Sequence, residues 1–364
     1  MTSRFLAARL ISAAFLLIVL TSPSVRSQDS PQPFGGDFPN LDSDATGKWW
    51  TKRAGGKDAR LWVPRDQVLA FAIYAHDRGT LKLTAQLYPL MPDESREVRL
   101  ELRREGDAGW SQVAAETVQY PGWSVHFRLP NWDNSQNVRY RLRHGDQASF
   151  EGVIRKDPID KEVIVVAALS CNSSRTPGPR PLMIENLKKQ DPDLLFFAGD
   201  QSYHHTQHTL GWLEFGVQFR DLRRDRPAIA IPDDHDVGQA NIWGEGGKKA
   251  KTPAGPAGGF FYPAEYVNMV QRQQTWHLPD PIDPARIDRG IGVYFTNLRV
   301  GGIDFAILED RKFKSGPEGK IPKMGPRPDH INDPAYDRAA IDLPGLVLLG
   351  DRQLKFLDAW SDDW

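Results

Sequence analysis

The sequence predicts two folds in series: an all-β sandwich of immunoglobulin type over 59–156, then an α/β sandwich over 161–364. Three observations carry the prediction. From Leu61 to Ile154, apolar and polar residues alternate with period two between turn signals. Beyond Lys156-Asp157-Pro158, short apolar runs alternate with helical stretches, as βα units require. Four of those runs end in polar residues able to hold metal. Val163–Leu169 enters Ser170-Cys171-Asn172, and Leu194–Ala198 enters Gly199-Asp200-Gln201-Ser202-Tyr203. Ala228–Ile231 enters Pro232-Asp233-Asp234-His235-Asp236, and Ile303–Leu308 enters Glu309-Asp310-Arg311. Such runs read as buried parallel strands, and open α/β sheets collect ligands beyond the carboxyl ends of their strands.

Residues 1–27 read as an export signal. Arg4 and Arg9 precede the apolar run Leu10–Leu20, and small residues close it at Val25-Arg26-Ser27, an ending that suits signal peptidase. The run is too short to span a bilayer comfortably, so no membrane span is expected after cleavage; the alternative is an uncleaved anchor. The expected location is extracytoplasmic, periplasmic or secreted. Neither Arg4 nor Arg9 adjoins another arginine, so no twin-arginine signal is evident. The formal charge is −1, and cleavage removes Arg4, Arg9 and Arg26 but no acid. That balance excludes a strongly basic chain, and nucleic acid is not expected as a partner beyond a possible substrate.

Residues 28–58 are rich in Gly, Pro, Asp and Ser and read as an irregular arm. In the sandwich, Val98, Leu100 and Leu102 alternate with Arg99, Glu101 and Arg103. Val125, Phe127 and Leu129 alternate with His126 and Arg128, and Tyr140 and Leu142 with Arg139, Arg141 and Arg143. Turn signals stand at Asp77-Arg78-Gly79, Gly106-Asp107 and His144-Gly145-Asp146. Roughly seven such strands in about a hundred residues make an immunoglobulin-type sandwich, its arginines lying on solvated faces.

In the α/β part, Met183, Ile184 and Leu187 mark a helix over Pro181–Gln190, and Leu213, Val217 and Leu222 one over Leu210–Arg224. The Gly/Pro/Lys loop Gly244–Gly259 reads as a mobile surface loop, with its lysines as the alternative anchors for an anionic substrate. The flanking Trp243, Phe260, Phe261 and Tyr262 read as packing. There is no internal repeat and no heptad run.

The chain has one cysteine, so no intramolecular disulfide is possible. Cys171 is either a small buried hydrophobe or a ligand, and its place at a strand's end favours the ligand. The glycine of Gly199-Asp200 permits a sharp strand exit, and Tyr203 brings a phenol near the same point. Tyrosine binds metal as phenolate and cysteine as thiolate, so Cys, Asp and Tyr together suit ferric iron better than magnesium or calcium. In Asp233-Asp234-His235-Asp236, three carboxylates around one imidazole repel one another unless a cation intervenes; helix capping would explain one or two of them. His235 can donate a proton or stabilise a negative oxygen. Asn241 either adds a ligand oxygen or folds the loop.

Ser170-Cys171, Gly199-Asp200-Gln201-Ser202-Tyr203, Asp233-Asp234-His235-Asp236 with Asn241, and Asp310-Arg311 together resemble the PhoD-type alkaline phosphatases of the calcineurin-like metallophosphoesterase class. The segment Leu349-Gly350-Asp351-Arg352-Gln353-Leu354 resembles that family's helix-opening segment. The resemblance runs from about Lys161 to the C-terminus and agrees with a sandwich placed ahead of the catalytic domain. It implies an iron–calcium centre that cleaves phosphate mono- and diesters outside the cytoplasm. Cys171, Asp200 and Tyr203 would hold Fe3+, with Asp200 bridging to Ca2+. Asp234 takes the place of the asparagine in the wider class's Gly-Asn-His-Glu motif.

His235 and Arg311 are the catalytic candidates under two-metal logic, His235 meeting the transferring phosphoryl group or the leaving oxygen. Arg311 is either a bidentate phosphate clamp or a structural ion pair. The family's later Asp and His ligands have no counterpart before Trp364, so the chain is expected to be the N-terminal portion of such an enzyme, its catalytic sandwich incomplete. The rival expectation is a catalytically silent extracytoplasmic binding protein.

Overall fold

A computed structural model describes residues 32–46, 61–173, 175, 178–253, 255–322, 325 and 331–362. The export signal expected over 1–27 lies outside the described residues. Seven strands come first: β1 (Leu69–Asp77), β2 (Thr80–Leu87), β3 (Glu97–Arg103), β4 (Ser111–Thr117), β5 (Ser124–Pro130), β6 (Val138–His144) and β7 (Ala148–Ile154). They form two antiparallel sheets, β1-β2-β5 and β4-β3-β6-β7. Leu100 pairs with Leu142 and Leu102 with Tyr140, so the apolar positions of β3 and β6 share one face. Leu83, Val125 and Phe127 of the first sheet meet them in a single core. The β1–β2 connection is the two-residue turn Arg78-Gly79, both at positive φ, which matches the twist of a tight hairpin.

β1 departs from the alternation that β6 follows, because both of its faces are buried. Leu69, Ala72 and Tyr74 face the sandwich core. Ala70, Phe71 and Ile73 face a second core built from the α/β part, and a register shift between Leu69 and Phe71 puts Ala70 and Phe71 on the same side. The seam also holds Arg223, fully buried with its guanidinium 4.3 Å from the Phe71 ring and 4.8 Å from that of Phe215. Across the seam, the Tyr140 hydroxyl donates to the Arg224 carbonyl, and Asp225 accepts from the Val153 N–H.

The α/β part contains β8 (Val166–Leu169), α1 (Pro181–Gln190), β9 (Leu194–Phe197), α2 (His208–Gln218), α3 (Arg220–Arg223), β10 (Ala228–Ala230) and α4 (Ala264–Thr275). After these come β11 (Phe295–Val300), β12 (Ile303–Leu308) and α5 (Asp351–Asp362). β8, β9 and β10 are parallel, in the order β10-β9-β8.

Three expectations need correction. The fourth apolar run, Ile303–Leu308, is not in the parallel sheet; it pairs antiparallel with β11. Val300-Gly301-Gly302-Ile303 explains this, since Gly301 and Gly302 at positive φ close a two-residue hairpin. The Val163–Leu169 run is not buried: Val163 is 68% and Val166 39% exposed, because β8 is the sheet's edge. Val217 on α2 is 40% exposed, since the buried side of that helix is carried by Trp212, Leu213 and Phe215.

The described part of the arm is irregular but docked. Phe34, Leu41 and Ala45 pack with Tyr266 and Val267 of α4. Asp42 accepts from both the N–H and the hydroxyl of Thr209, and the Trp123 indole donates to the Asp44 carbonyl.

Two buried histidines make the fold acid-sensitive. Burial holds His277 down to about 3 and His208 to about 4, although each has a backbone carbonyl partner, Ala228 and Asp236, that favours the charged form. These folded-state values lie below the ordinary 6.5, so the native state binds fewer protons than the unfolded chain. The stability they carry is complete above the unfolded value and is lost as pH falls toward the folded one. His277→Gln, which keeps a donor for Ala228, should flatten the fall in denaturation free energy below about pH 6.5 by on the order of 1 kcal/mol per pH unit. An unchanged slope in urea titrations across that range would show that His277 is not the group being charged.

Candidate metal centre

The carboxyl ends of the three parallel strands form the centre. β8 delivers Cys171, β9 delivers Gly199-Asp200, and the segment after β10 delivers Asp233–Asp236. Both strand exits bend through the left-handed region: φ is +56° at Cys171, +99° at Gly199 and +54° at Asp200. Two non-glycine residues in that region at one rim mark a site held in place by its surroundings. The Cys171 N–H donates to the Gly199 carbonyl and the Asn172 N–H to the Asp200 carbonyl, locking the exits together. Gly199 is obligatory for a second reason, because a Cβ there would lie 2.4 Å from that of Asp233.

Asp200 is the hub, only 6% exposed. Its Oδ2 accepts from the Tyr203 hydroxyl at 2.9 Å and lies 3.7 Å from the Cys171 sulfur. Its Oδ1 accepts from the His235 N–H at 3.2 Å. Ligand atoms of Asp200, Asp234 and His235 all lie within 4.8 Å of one another. Burial first, then hydrogen bonding with Cys171 and Asp200, pushes the Tyr203 phenol well up, so it donates to Asp200 as a neutral hydroxyl. A multivalent cation would reverse that balance, because it favours both phenolate and thiolate.

The acidic run divides its labour, which corrects the picture of three carboxylates crowding one imidazole. Asp236 turns inward and accepts the N–H groups of Gln201 and Asp233 at 2.9 and 3.0 Å; burial lifts its carboxyl to about 8. Asp233 accepts from Arg311 in a two-pronged pair, Nε to Oδ1 at 2.5 Å and Nη2 to Oδ2 at 3.0 Å. Asp234 alone joins Asp200 and His235, its Oδ2 taking the Asn241 backbone N–H. Asn241 therefore folds the loop through its main chain.

Arg311 stands at the wall of the centre, 3.6 Å from Asp234 and 3.6 Å from Asp310. Burial opposes its charge, but the pairing with Asp233 outweighs burial and holds the guanidinium firmly protonated. Of the two roles open to it in the sequence, the ion pair is thus formed, with its charge kept at the wall of the centre.

Sequence reasoning missed His205. Its Nε2 lies 2.5 Å from the His235 Nδ1, and the two rings stack 4.7 Å apart, with Tyr203 on His235 at 4.3 Å. Burial first, then the neighbouring His235, lowers the His205 pKa. The signal was local, since His205 lies two residues after Tyr203. Two lysines of 244–259 are held by nearby main-chain carbonyls. Lys248 and Lys249 donate to the carbonyls of Ala257 and Phe261, and backbone bonds such as Gly259 N–H to Trp243 carbonyl order the loop.

The donor set fits a metal site: a thiol, a phenol and an imidazole gathered on two buried carboxylates, with no lysine or arginine paired to Asp200 among the described residues. No family model matches the chain, and no curated protein matches it. Solved structures do. One described as PhoD superposes with a TM-score of 0.56 at 16% identity, covering 79% of this chain and 58% of that one. A purple acid phosphatase from yellow lupin (Lupinus luteus) seeds aligns with a TM-score of 0.45 at 13% identity, covering 65% and 44%. This chain thus spans less than two thirds of the length of either. The first likeness establishes a PhoD-type fold.

Proposed function

We propose that this chain carries the metal-dependent phosphoesterase centre of an exported, PhoD-like hydrolase of phosphate mono- or diesters. The observation that supports it most directly is the convergence of Cys171, Tyr203 and the His235 N–H on the two oxygens of Asp200. In this reading Cys171, Asp200 and Tyr203 would hold Fe3+, and Asp200 and Asp234 would hold Ca2+. The hard carboxylates suit calcium, and the thiolate–phenolate pair suits ferric iron. The N-terminal sandwich is read as immunoglobulin-type, which its three-plus-four antiparallel strand order supports. The export signal at 1–27 and an extracytoplasmic location complete the proposal.

When bound, the ions supply Lewis-acid polarisation of the phosphoryl oxygens. The protein's own groups do the rest. His235, with Nδ1 paired to His205, would give its Nε2 proton to the leaving oxygen as water adds to phosphorus and the ester P–O bond breaks; the proton released by the attacking water returns the imidazole to its starting state. His205 fixes the ring that delivers it. Arg311, anchored by Asp233, keeps a positive charge where the phosphoryl oxygens accumulate negative charge.

The test is protein loaded with Fe3+ and Ca2+. We expect a visible charge-transfer band that disappears in Tyr203→Phe and shifts in Cys171→Ala, together with turnover of bis(p-nitrophenyl) phosphate. A band surviving both changes rules out this ligand set. Folded, metal-loaded protein without turnover favours the silent binding protein.

A further inference from the structure

Beside the centre lies a cavity of about 440 Å³ that shares Asn241 and Arg311 with it. Its walls are mostly apolar: Trp243, Ile321, Ile331, Ile341, Leu346 and Val347. Trp243 follows the Asn241 turn directly, so the loop that receives Asp234 also presents the indole. The opposite wall is clamped by a reciprocal pair, the Ser315 N–H donating to the Val347 carbonyl and the Val347 N–H to the Ser315 hydroxyl. At the end nearest the centre, Arg311 and Lys314 are each held by a carboxylate, Arg311 by Asp233 and Lys314 by Asp310 at 3.5 Å, and Asp342 also lines the cavity. The apolar wall is therefore the feature that selects a ligand, and it matches a hydrocarbon group carried on the ester.

We infer that this cavity receives the organic arm of the substrate, so that the preferred esters carry an alkyl or aryl group on the phosphate, not a sugar or polyol. The inference rests on the phosphoesterase reading of the adjoining centre. Physically it needs only two things. The volume is that of a small-molecule site, and a polyol arm reaching past Asn241, Ser315 and Asp342 would leave hydroxyls against isoleucine and leucine without partners. An alkyl arm loses nothing there, and each methylene taken out of water strengthens binding by about three- to fourfold. Trp243 thus becomes a recognition residue instead of a packing one.

The experiment uses the full chain loaded with Fe3+ and Ca2+. It compares methyl-, butyl- and octylphosphonate in calorimetry and the matching alkyl p-nitrophenyl phosphates in turnover. Octylphosphonate should bind at least a hundredfold more tightly than methylphosphonate and shift indole emission to the blue. Ile341→Asp should remove that dependence on chain length, and Trp243→Ala should remove the shift; circular dichroism checks that both variants fold. Equal binding of the three phosphonates to the unaltered protein overturns the pocket whether or not any ester is cleaved. Chain-length-dependent binding without turnover of any ester leaves the pocket standing and overturns the hydrolase. Turnover that is indifferent to chain length does the reverse.

Discussion

Asp200→Asn is expected to bring bound metal down to background and to cut phosphodiester turnover by at least about a thousandfold, since even outer-sphere partners of a metal cost about 10- to 100-fold. Asp200 is the one residue whose two oxygens meet Tyr203, Cys171 and the His235 N–H together. Asparagine keeps the volume and can still accept the His235 N–H, so the turn after β9 survives. What it loses is the charge. In metal-free protein that loss relieves repulsion with nearby Asp234, so the apo melting temperature should hold or rise. Under the proposed ligand set, Fe3+ should raise the melting temperature of the unaltered protein and not that of the variant, because a ligand stabilises only the state that binds it. Inductively coupled plasma analysis, calorimetry and a nitrophenyl assay check the three parts. Full metal content in the variant would remove Asp200 from the centre, and with it the case for the site.

Gly216→Val should destabilise the whole molecule by more than about 3 kcal/mol, in a single cooperative transition. Gly216 lies on α2 against β1, and a Cβ built there would stand 1.7 Å from the edge of the Phe71 ring. Phe71 has no room to retreat, since it is 1% exposed and packs on Trp212 at 5.5 Å and on the Arg223 guanidinium. Ala72 and Tyr74 of the same strand point into the sandwich core, so the disturbance reaches both layers. Far-ultraviolet circular dichroism and tryptophan fluorescence should therefore report one midpoint. Adding Phe71→Ala should recover part of the loss, because the second change removes the ring that the first one strikes. Two separate transitions, with only one moved, would mean that the sandwich and the α/β part fold independently despite the shared seam.

The path from sequence to site was uneven for identifiable reasons. The runs at Leu194–Ala198 and Ala228–Ile231 became β9 and β10, because short apolar stretches bounded by Gly and Pro have few other ways to bury themselves. Pro181–Gln190 became α1 over the same span. Cys171, Asp200 and Tyr203 came together because strand ends of one parallel sheet share a rim. The Ile303–Leu308 run has the same local character, yet Gly301-Gly302 turns it into a hairpin; there, the turn outweighed the resemblance to its predecessors.

What the sequence determined alone was periodic and local: which segments alternate, which are apolar throughout, and which polar side chains follow a strand within a few residues. Those properties depend on backbone geometry, and the chain carries them wherever it goes. Tertiary structure decided partnership. It turned Asp236 inward to the N–H groups of Gln201 and Asp233, and tied Asp233 to Arg311. It seated His205 on His235 and set Trp243 in one cavity with Leu346 and Val347. A carboxylate's neighbours in space fix its charge and role, and those neighbours are delivered by loops whose closure no local pattern encodes.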